Sequence, residues 1–473
     1  MAERIRRHFA TMLARTVGQR PDHFNHRQKT DAPLDPTVEE SNARSVHEHR
    51  LPPGPAGDFV GVEDLFGWMV RNAGQFGDIF KASVFGSNVF VVSNPEYCER
   101  ILRWNWRNYA RKGQIVQRIA LLLGNGLIAS NGEFWVRQRR MIQPAFSTHS
   151  IAGLIDMITR ANADLLDTWT RAAQQQETIN VTHDLSTMVL KVTLTAIFGD
   201  DYQVVAPHFR LLTDVSARNF QLAQALQPAS QIVRQVVERR RRLDTSAGGF
   251  LYTMMQGRDR DSGEQMSDAQ LVREVMTLVV AGHETTAGLL NWIWYLLSRH
   301  PNVHTRLLRE LQELPWGDAP TMEALPKYAY TRRLIDEALR LYPPLWLMTR
   351  KAVQDDFLGE YFVPAGTEIY ISPYLIQHSP QLWEAPEQFD PDRMDPARTG
   401  DRHALALCPF GAGPRTCIGE RLARVEVQLH LMHVAGKLRL RHDSDRPAEM
   451  TTGLNLLSKE DFVMRPEKLS YHA

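Results

Sequence analysis

Shortages narrow the field before any motif does. The 473 residues include only three cysteines, Cys98, Cys408 and Cys417. So sparse and odd a set excludes a disulfide framework, suits a reducing compartment, and leaves at least one thiol free to act as ligand or nucleophile. Charge of either sign is not in surplus: 55 Lys and Arg stand against 54 Asp and Glu. Bulk electrostatics therefore give no reason to expect nucleic acid or another polyanion. No apolar run is long enough to span a bilayer, and residues 1–17 lack the uninterrupted apolar stretch of a secretory signal. Internal repeats and low-complexity tracts are missing as well. What remains, 43% hydrophobic and 23% charged, is ordinary for a globular chain.

Residues 1–50 read as a weakly ordered basic and polar tail. Within it Arg4, Arg6, Arg7 and Arg15 accompany Ile5, Phe9, Leu13 and Val17 at near-helical spacing. That pattern fits a solvated leader, and equally a weak membrane-surface contact or an organelle transit segment. Leu51-Pro52-Pro53-Gly54-Pro55 forbids helix and marks the entry to one domain over residues 51–473. Residues 79–93 alternate as a hairpin, with Gly86-Ser87-Asn88 at its turn.

Beyond Pro95 helical periodicity dominates. The strongest case is 268–300, with Ser267 as N-cap, Gln270 as its capping-box partner and Pro301 as the stop. Residues 276–281 are apolar on every side, so this helix runs through the core. Further helices are expected at 327–341, ended by Pro343-Pro344, and at 418–435, ended by Gly436. Short strands are expected at 438–441 and 461–464. The class is mainly α with small β-sheets (α+β).

The central chemical signal is Phe410-Gly411-Ala412-Gly413-Pro414-Arg415-Thr416-Cys417-Ile418-Gly419. Glycines let a chain turn its N–H groups toward a thiolate, and the helix that follows adds positive potential at its start. The segment resembles the haem-binding loop of the cytochrome P450 family, F-x-x-G-x-R-x-C-x-G, at Phe410, Gly413, Arg415, Cys417 and Gly419. The resemblance implies the cytochrome P450 fold, with haem between a long distal helix and a proximal helix. It implies haem b (iron protoporphyrin IX) as cofactor and Cys417 as the metal ligand, with Phe410, Gly411, Arg415 and Gly419 around it. Cys98 and Cys408 read as inert core cysteines.

Other segments extend the likeness from about residue 51 to 464. Glu337 and Arg340 stand at i and i+3, alone no more than a routine helical pair. With Arg393 they match the family's E-x-x-R pair and its later arginine, which implies a buried trio that holds the scaffold. Trp135 and Arg139 match W-x-x-x-R, and these two with Arg350 and Arg415 are implied contacts to the haem propionates. Ala281-Gly282-His283-Glu284-Thr285-Thr286 matches A-G-x-E/D-T-T/S. By that likeness Gly282 opens a groove for dioxygen while Glu284 and Thr285 deliver protons. Read alone, the segment is a packing glycine and a threonine bonded back to an earlier carbonyl, although an acid amid apolar neighbours fits that poorly. His283 occupies the variable position and faces solvent or a neighbour rather than iron. His430 and His433 have metal-like spacing without a third ligand.

The implied activity is a monooxygenase that hydroxylates or epoxidises a hydrophobic small molecule, whether terpenoid, fatty acid or steroid-like. Val280, Ala281, Leu345, Trp346, Leu347, Met348 and Leu454 are the expected pocket walls, nearly all apolar. No flavin or nicotinamide fingerprint is found. NAD(P)H is therefore expected to act only through separate partners, a ferredoxin and its reductase. The expectation is a cytoplasmic monomer of bacterial type. A peroxide-driven enzyme and a non-catalytic haem sensor or carrier are the alternatives. The Glu284-Thr285 pair argues against both.

Overall fold

The long helix expected through the core is present as Asp268–Arg299, 32 residues and about 48 Å at 1.5 Å per residue. Ser267 caps it by accepting from the N–H of Gln270. The capping box is not closed, because the Gln270 side chain donates instead to Asn125 O (3.2 Å) and to buried Glu274 (2.7 Å). Val275, Leu290, Trp292, Ile293 and Trp294 along its length are fully buried. Alongside it packs Val181–Phe198, another helix buried on nearly every side. Two helices so largely hidden fix the centre of the fold, the second keeping only a narrow polar stripe, His183, Thr187 and Lys191, toward water.

This description rests on a computed structural model and covers residues 49–61, 64–213, 222–243, 248–314 and 320–469. Arg50–Ala473 forms one unit. The leader at 1–17 and the tail to residue 48 lie outside the described residues. Among the described residues, no helix is long and apolar enough to cross a membrane.

Beside the helices lies a six-stranded sheet. Its order is Asp58–Phe59, Ile79–Val84, Ser87–Val92, Glu368–Ile371, Met348–Ala352 and Tyr109–Ala110. The expected hairpin forms, with Val84 paired to Ser87. Its turn is Phe85-Gly86, one residue earlier than the sequence suggested, and both residues take positive φ. That conformation matches the twist of two-residue hairpins and suits glycine. Strands Leu438–Arg441 and Val463–Lys468 pair antiparallel, the second beginning two residues later than expected. Strands Met450–Thr452 and Leu456–Ser458 make a small late hairpin.

The third expected helix is Glu420–His430, continued by a π-turn over Leu431–Ala435. Gly436 does not end it in the left-handed region, since its φ is −70. Glycine is needed there for space: a Cβ would lie 2.8 Å from Met432 O and 3.2 Å from Leu311. Ala329–Leu341, the helix carrying Glu337 and Arg340, ends just before the double proline.

Candidate functional site: a cysteine loop, an arginine cluster and a distal acid

The cysteine loop leaves the core at Cys408 and turns through two residues with positive φ, Gly411 (72) and Gly413 (70). A Cβ on Gly413 would overlap the carbonyl of Leu102, so only glycine allows this approach. The Cys417 N–H donates to Phe410 O at 2.9 Å and closes the loop. Burial pushes the Cys417 thiol upward in pKa; N–H groups of Gly419 and Glu420 and the Arg139 guanidinium pull the other way. Donors aimed at sulfur are what a thiolate ligand requires. Cys417 is also accessible by surface area while dense protein surrounds it on nearly all sides. That combination describes a side chain facing internal space. Cys98 and Cys408 are fully packed, and burial drives Cys408 up to about 12.

Four arginines gather near this loop. Arg139 Nη1 donates to Thr416 O at 3.0 Å. Arg415 lies over the Trp135 ring at 4.2 Å and donates to Ser130 O at 2.9 Å. Arg350, in the strand Met348–Ala352, donates to Thr349 O. The fourth is Arg111, which sequence reasoning missed. Its backbone exchanges 2.7 Å hydrogen bonds with Asn131, whose Oδ1 also accepts from Arg415 at 3.3 Å. The Arg111-Lys112 doublet was the only hint, and surface doublets are common.

No carboxylate pairs with Arg111, Arg139, Arg350 or Arg415 among the described residues. Burial, then mutual repulsion, lowers Arg415 to about 9 and pulls Arg350 well down. Arg111 falls to about 10, again through burial first. Arg111 Nε and Arg415 Nη1 are buried without a partner. Buried guanidiniums that repel each other call for an anion of more than one charge. Two propionates beside a cysteine that faces internal space meet that need, so the residues fit haem.

Glu337 and Arg340 are both fully buried, and Arg340 grips the carboxylate with Nε at 2.8 Å and Nη2 at 2.9 Å. Arg393 Nε adds a bond at 2.9 Å, and the Asp390 N–H another at 3.1 Å. Burial pushes the Glu337 pKa up, and these donors oppose it. The remaining guanidinium N–H groups go to backbone carbonyls of Gln377, Pro386 and Gln388 from Arg340, and of Glu384 and Ala385 from Arg393. The trio therefore pins the segment before the cysteine loop to the Ala329–Leu341 helix.

On the long helix, Glu284 and Thr285 are half-buried whereas His283 and Thr286 are buried. His283 faces a neighbour, not solvent, with Nε2 at 3.0 Å from Ser186 Oγ on the Val181–Phe198 helix. The Thr285 hydroxyl donates back to Ala281 O at 2.6 Å. Glu284 Oε2 accepts from the Asn455 side-chain amide at 2.6 Å. A Cβ on Gly282 would meet Thr193 at an ordinary 3.6 Å, so packing alone does not demand glycine there. His430 accepts from Trp294 and meets Asn162, and burial lowers it to about 3. Among the described residues it joins no metal-like cluster.

The expected pocket residues lie on the long helix, on the segment after Pro344 and on the late turn. Trp346 is buried, edge-on to Phe66 at 5.6 Å, and donates to Gly453 O at 3.3 Å, next to Leu454. Met348 abuts the cysteine loop at Gly411. Val280 and Met348 are buried in different apolar clusters, Ala281, Leu345 and Leu347 are half-buried, and Leu454 is 40% exposed.

The Cytochrome P450 family model matches residues 57–236 and 221–472. Cyclooctatin synthase of Streptomyces melanosporofaciens is 33% identical over 390 residues, 77% of this chain and 83% of that one. Pentalenene oxygenase of Streptomyces avermitilis is 31% identical over 396 residues, covering 80% and 88%. Retinoic acid-bound cyanobacterial CYP120A1 superposes with TM-score 0.78 at 22% identity over 89% of this chain and all of that one, a likeness of fold.

Proposed function

Since the chain belongs to the cytochrome P450 family and is a monooxygenase of it, we propose that it oxidises an apolar, terpenoid-like small molecule by hydroxylation or epoxidation. One oxygen atom would come from dioxygen, and two electrons from separate partners, a ferredoxin and its reductase. Apolar pocket walls suit a terpenoid, fatty acid or steroid alike; terpenoid is favoured because relatives are named for cyclooctatin and pentalenene.

The observation that carries the oxygen-activating role is the acid–threonine pair, half-buried on a helix whose adjoining polar side chains are buried. Haem b, ligated by a thiolate, supplies the oxygen chemistry when bound. In this reading Cys417 would be the ligand, with the N–H groups of Gly419 and Glu420 favouring its anion against the effect of burial. Arg111, Arg139, Arg350 and Arg415 hold the propionates, and Trp135 backs Arg415. Glu337, Arg340 and Arg393 hold the scaffold. Glu284 supplies a proton and Thr285 passes it on. The Thr285 hydroxyl spends its hydrogen on Ala281 O, so its lone pairs are free to accept a proton before the O–H swings away.

Thr285→Ala tests this. It should bind ligand normally and still consume NADPH with surrogate partners, but release much of the flux as hydrogen peroxide. A placed proton donor contributes ~10²–10⁴-fold to its step, so product per NADPH should fall sharply. Thr286→Ala should fall less, because Thr286 lies about 100° further round the helix and is buried. Full coupling in both variants would remove the main argument against a peroxide-driven enzyme or a haem sensor.

A further inference from the structure

The late hairpin does more than close the fold. It lies along the long helix at three points, two in its second strand and one in its turn. Ser458 accepts from Asn291 at 3.0 Å. Leu457 occupies the space that a Cβ on Gly288 would need, at 2.8 Å. Asn455 donates to Glu284 at 2.6 Å. The first two are packing anchors. The third ends on the carboxylate given a proton-handling role above.

Asn455 is 3% exposed although it sits in a turn, and its neighbour Leu454 is 40% exposed. Buried turn asparagines usually serve their own backbone. This one spends its side-chain amide on a distant acid, 171 residues away in sequence. The turn around it is held firmly. Gly453 N–H donates to Asn455 O at 3.0 Å, Leu456 N–H to Pro344 O at 2.9 Å, and Trp346 Nε1 to Gly453 O at 3.3 Å. A donor on so fixed a base sets the direction of the acceptor, and at 2.6 Å the bond is short.

We propose that Asn455 is a positioning residue for the reaction: it orients the Glu284 carboxylate, from the turn that carries Leu454, for proton delivery. The inference rests on the reading of Glu284 as the acid. Asn455→Leu keeps the branching at Cγ, is somewhat bulkier, and removes the donor; Asn455→Ser is too short to reach and serves if the leucine variant does not load haem.

The test uses the full chain with haem and surrogate redox partners, in wild type, Asn455→Leu, Asn455→Ser, Glu284→Gln, the Glu284→Gln/Asn455→Leu pair and Ser458→Ala. Two quantities are read. One is product per NADPH with pentalenene as probe. The other is the infrared carboxylate band of Glu284, taken as the difference between each protein and its Glu284→Gln counterpart. Asn455→Leu should lower product per NADPH by roughly tenfold or more, leave the probe's dissociation constant within about twofold, and move the carboxylate band. The double variant should be no worse than Glu284→Gln alone, because the two residues act as one unit. Ser458→Ala, which loosens the same hairpin elsewhere, should melt earlier and stay coupled. An unmoved band, wild-type coupling in Asn455→Leu, losses that multiply in the double variant, or equal uncoupling in Ser458→Ala would each overturn the inference while Glu284 keeps its role. Full coupling in Glu284→Gln would instead overturn the reading of Glu284, and the inference with it.

Discussion

Replacing Cys417 with serine is expected to abolish the carbonyl-complex absorption of thiolate-ligated haem, while Cys98→Ser and Cys408→Ser keep it. The expectation follows from contrasted surroundings. Cys98 and Cys408 are sealed in apolar packing, where burial holds both thiols protonated. Cys417 faces internal space with two N–H groups and a guanidinium drawing it toward the anion. A hydroxyl is a far weaker acid than a thiol, so serine does not readily ionise and cannot take over as an anionic ligand. The check is the absorption spectrum of the reduced, carbon monoxide-treated protein for all three variants. An intact thiolate signature in Cys417→Ser would sink the assignment.

Arg340→Ala should be worse, yielding little folded, haem-loaded protein. Glu337 would lose two of its four donors, the carbonyls of Gln377 and Pro386 would lose theirs, and that of Gln388 would keep only Arg393. Breaking one partner from a buried charge pair costs about 3–5 kcal/mol, a large share of the ~5–15 kcal/mol that holds a typical protein folded. Glu337→Ala should behave alike, since it strands two guanidiniums. Soluble yield, haem content per chain and the melting temperature measure the effect. A stable, haem-replete Arg340→Ala protein would reduce the trio to an incidental bridge.

These motifs were readable in the sequence because each is local and chemically unusual. Two glycines and a proline ahead of a lone cysteine announce a strained loop, and an acid inside the long apolar helix announces something other than packing. Arg111 was not readable: its role depends on Asn131 and on strands that bring Arg350 close, and nothing local separates it from a surface cation. Asn455 was hidden likewise, since its partner lies 171 residues away. The capping box at Ser267 failed for a tertiary reason, because the Gln270 side chain is turned toward Asn125 and buried Glu274. Gly436 looked like a left-handed helix stop but is there because Met432 and Leu311 leave no room for a side chain. Helix existence and the course of the cysteine loop were thus legible, while the side-chain partners that fold distant segments together were not.

The claim that this chain is a partner-driven monooxygenase is tested most directly by turnover under isotopically labelled dioxygen. Purified haem-loaded protein is supplied with NADPH, a ferredoxin and its reductase, and pentalenene or another apolar terpenoid that shifts its ferric spectrum. The account predicts a product carrying one labelled oxygen atom for each NADPH consumed on the coupled path, with no product when the partners are left out. Product that forms from peroxide alone at the same rate, or whose oxygen comes from water, would contradict it.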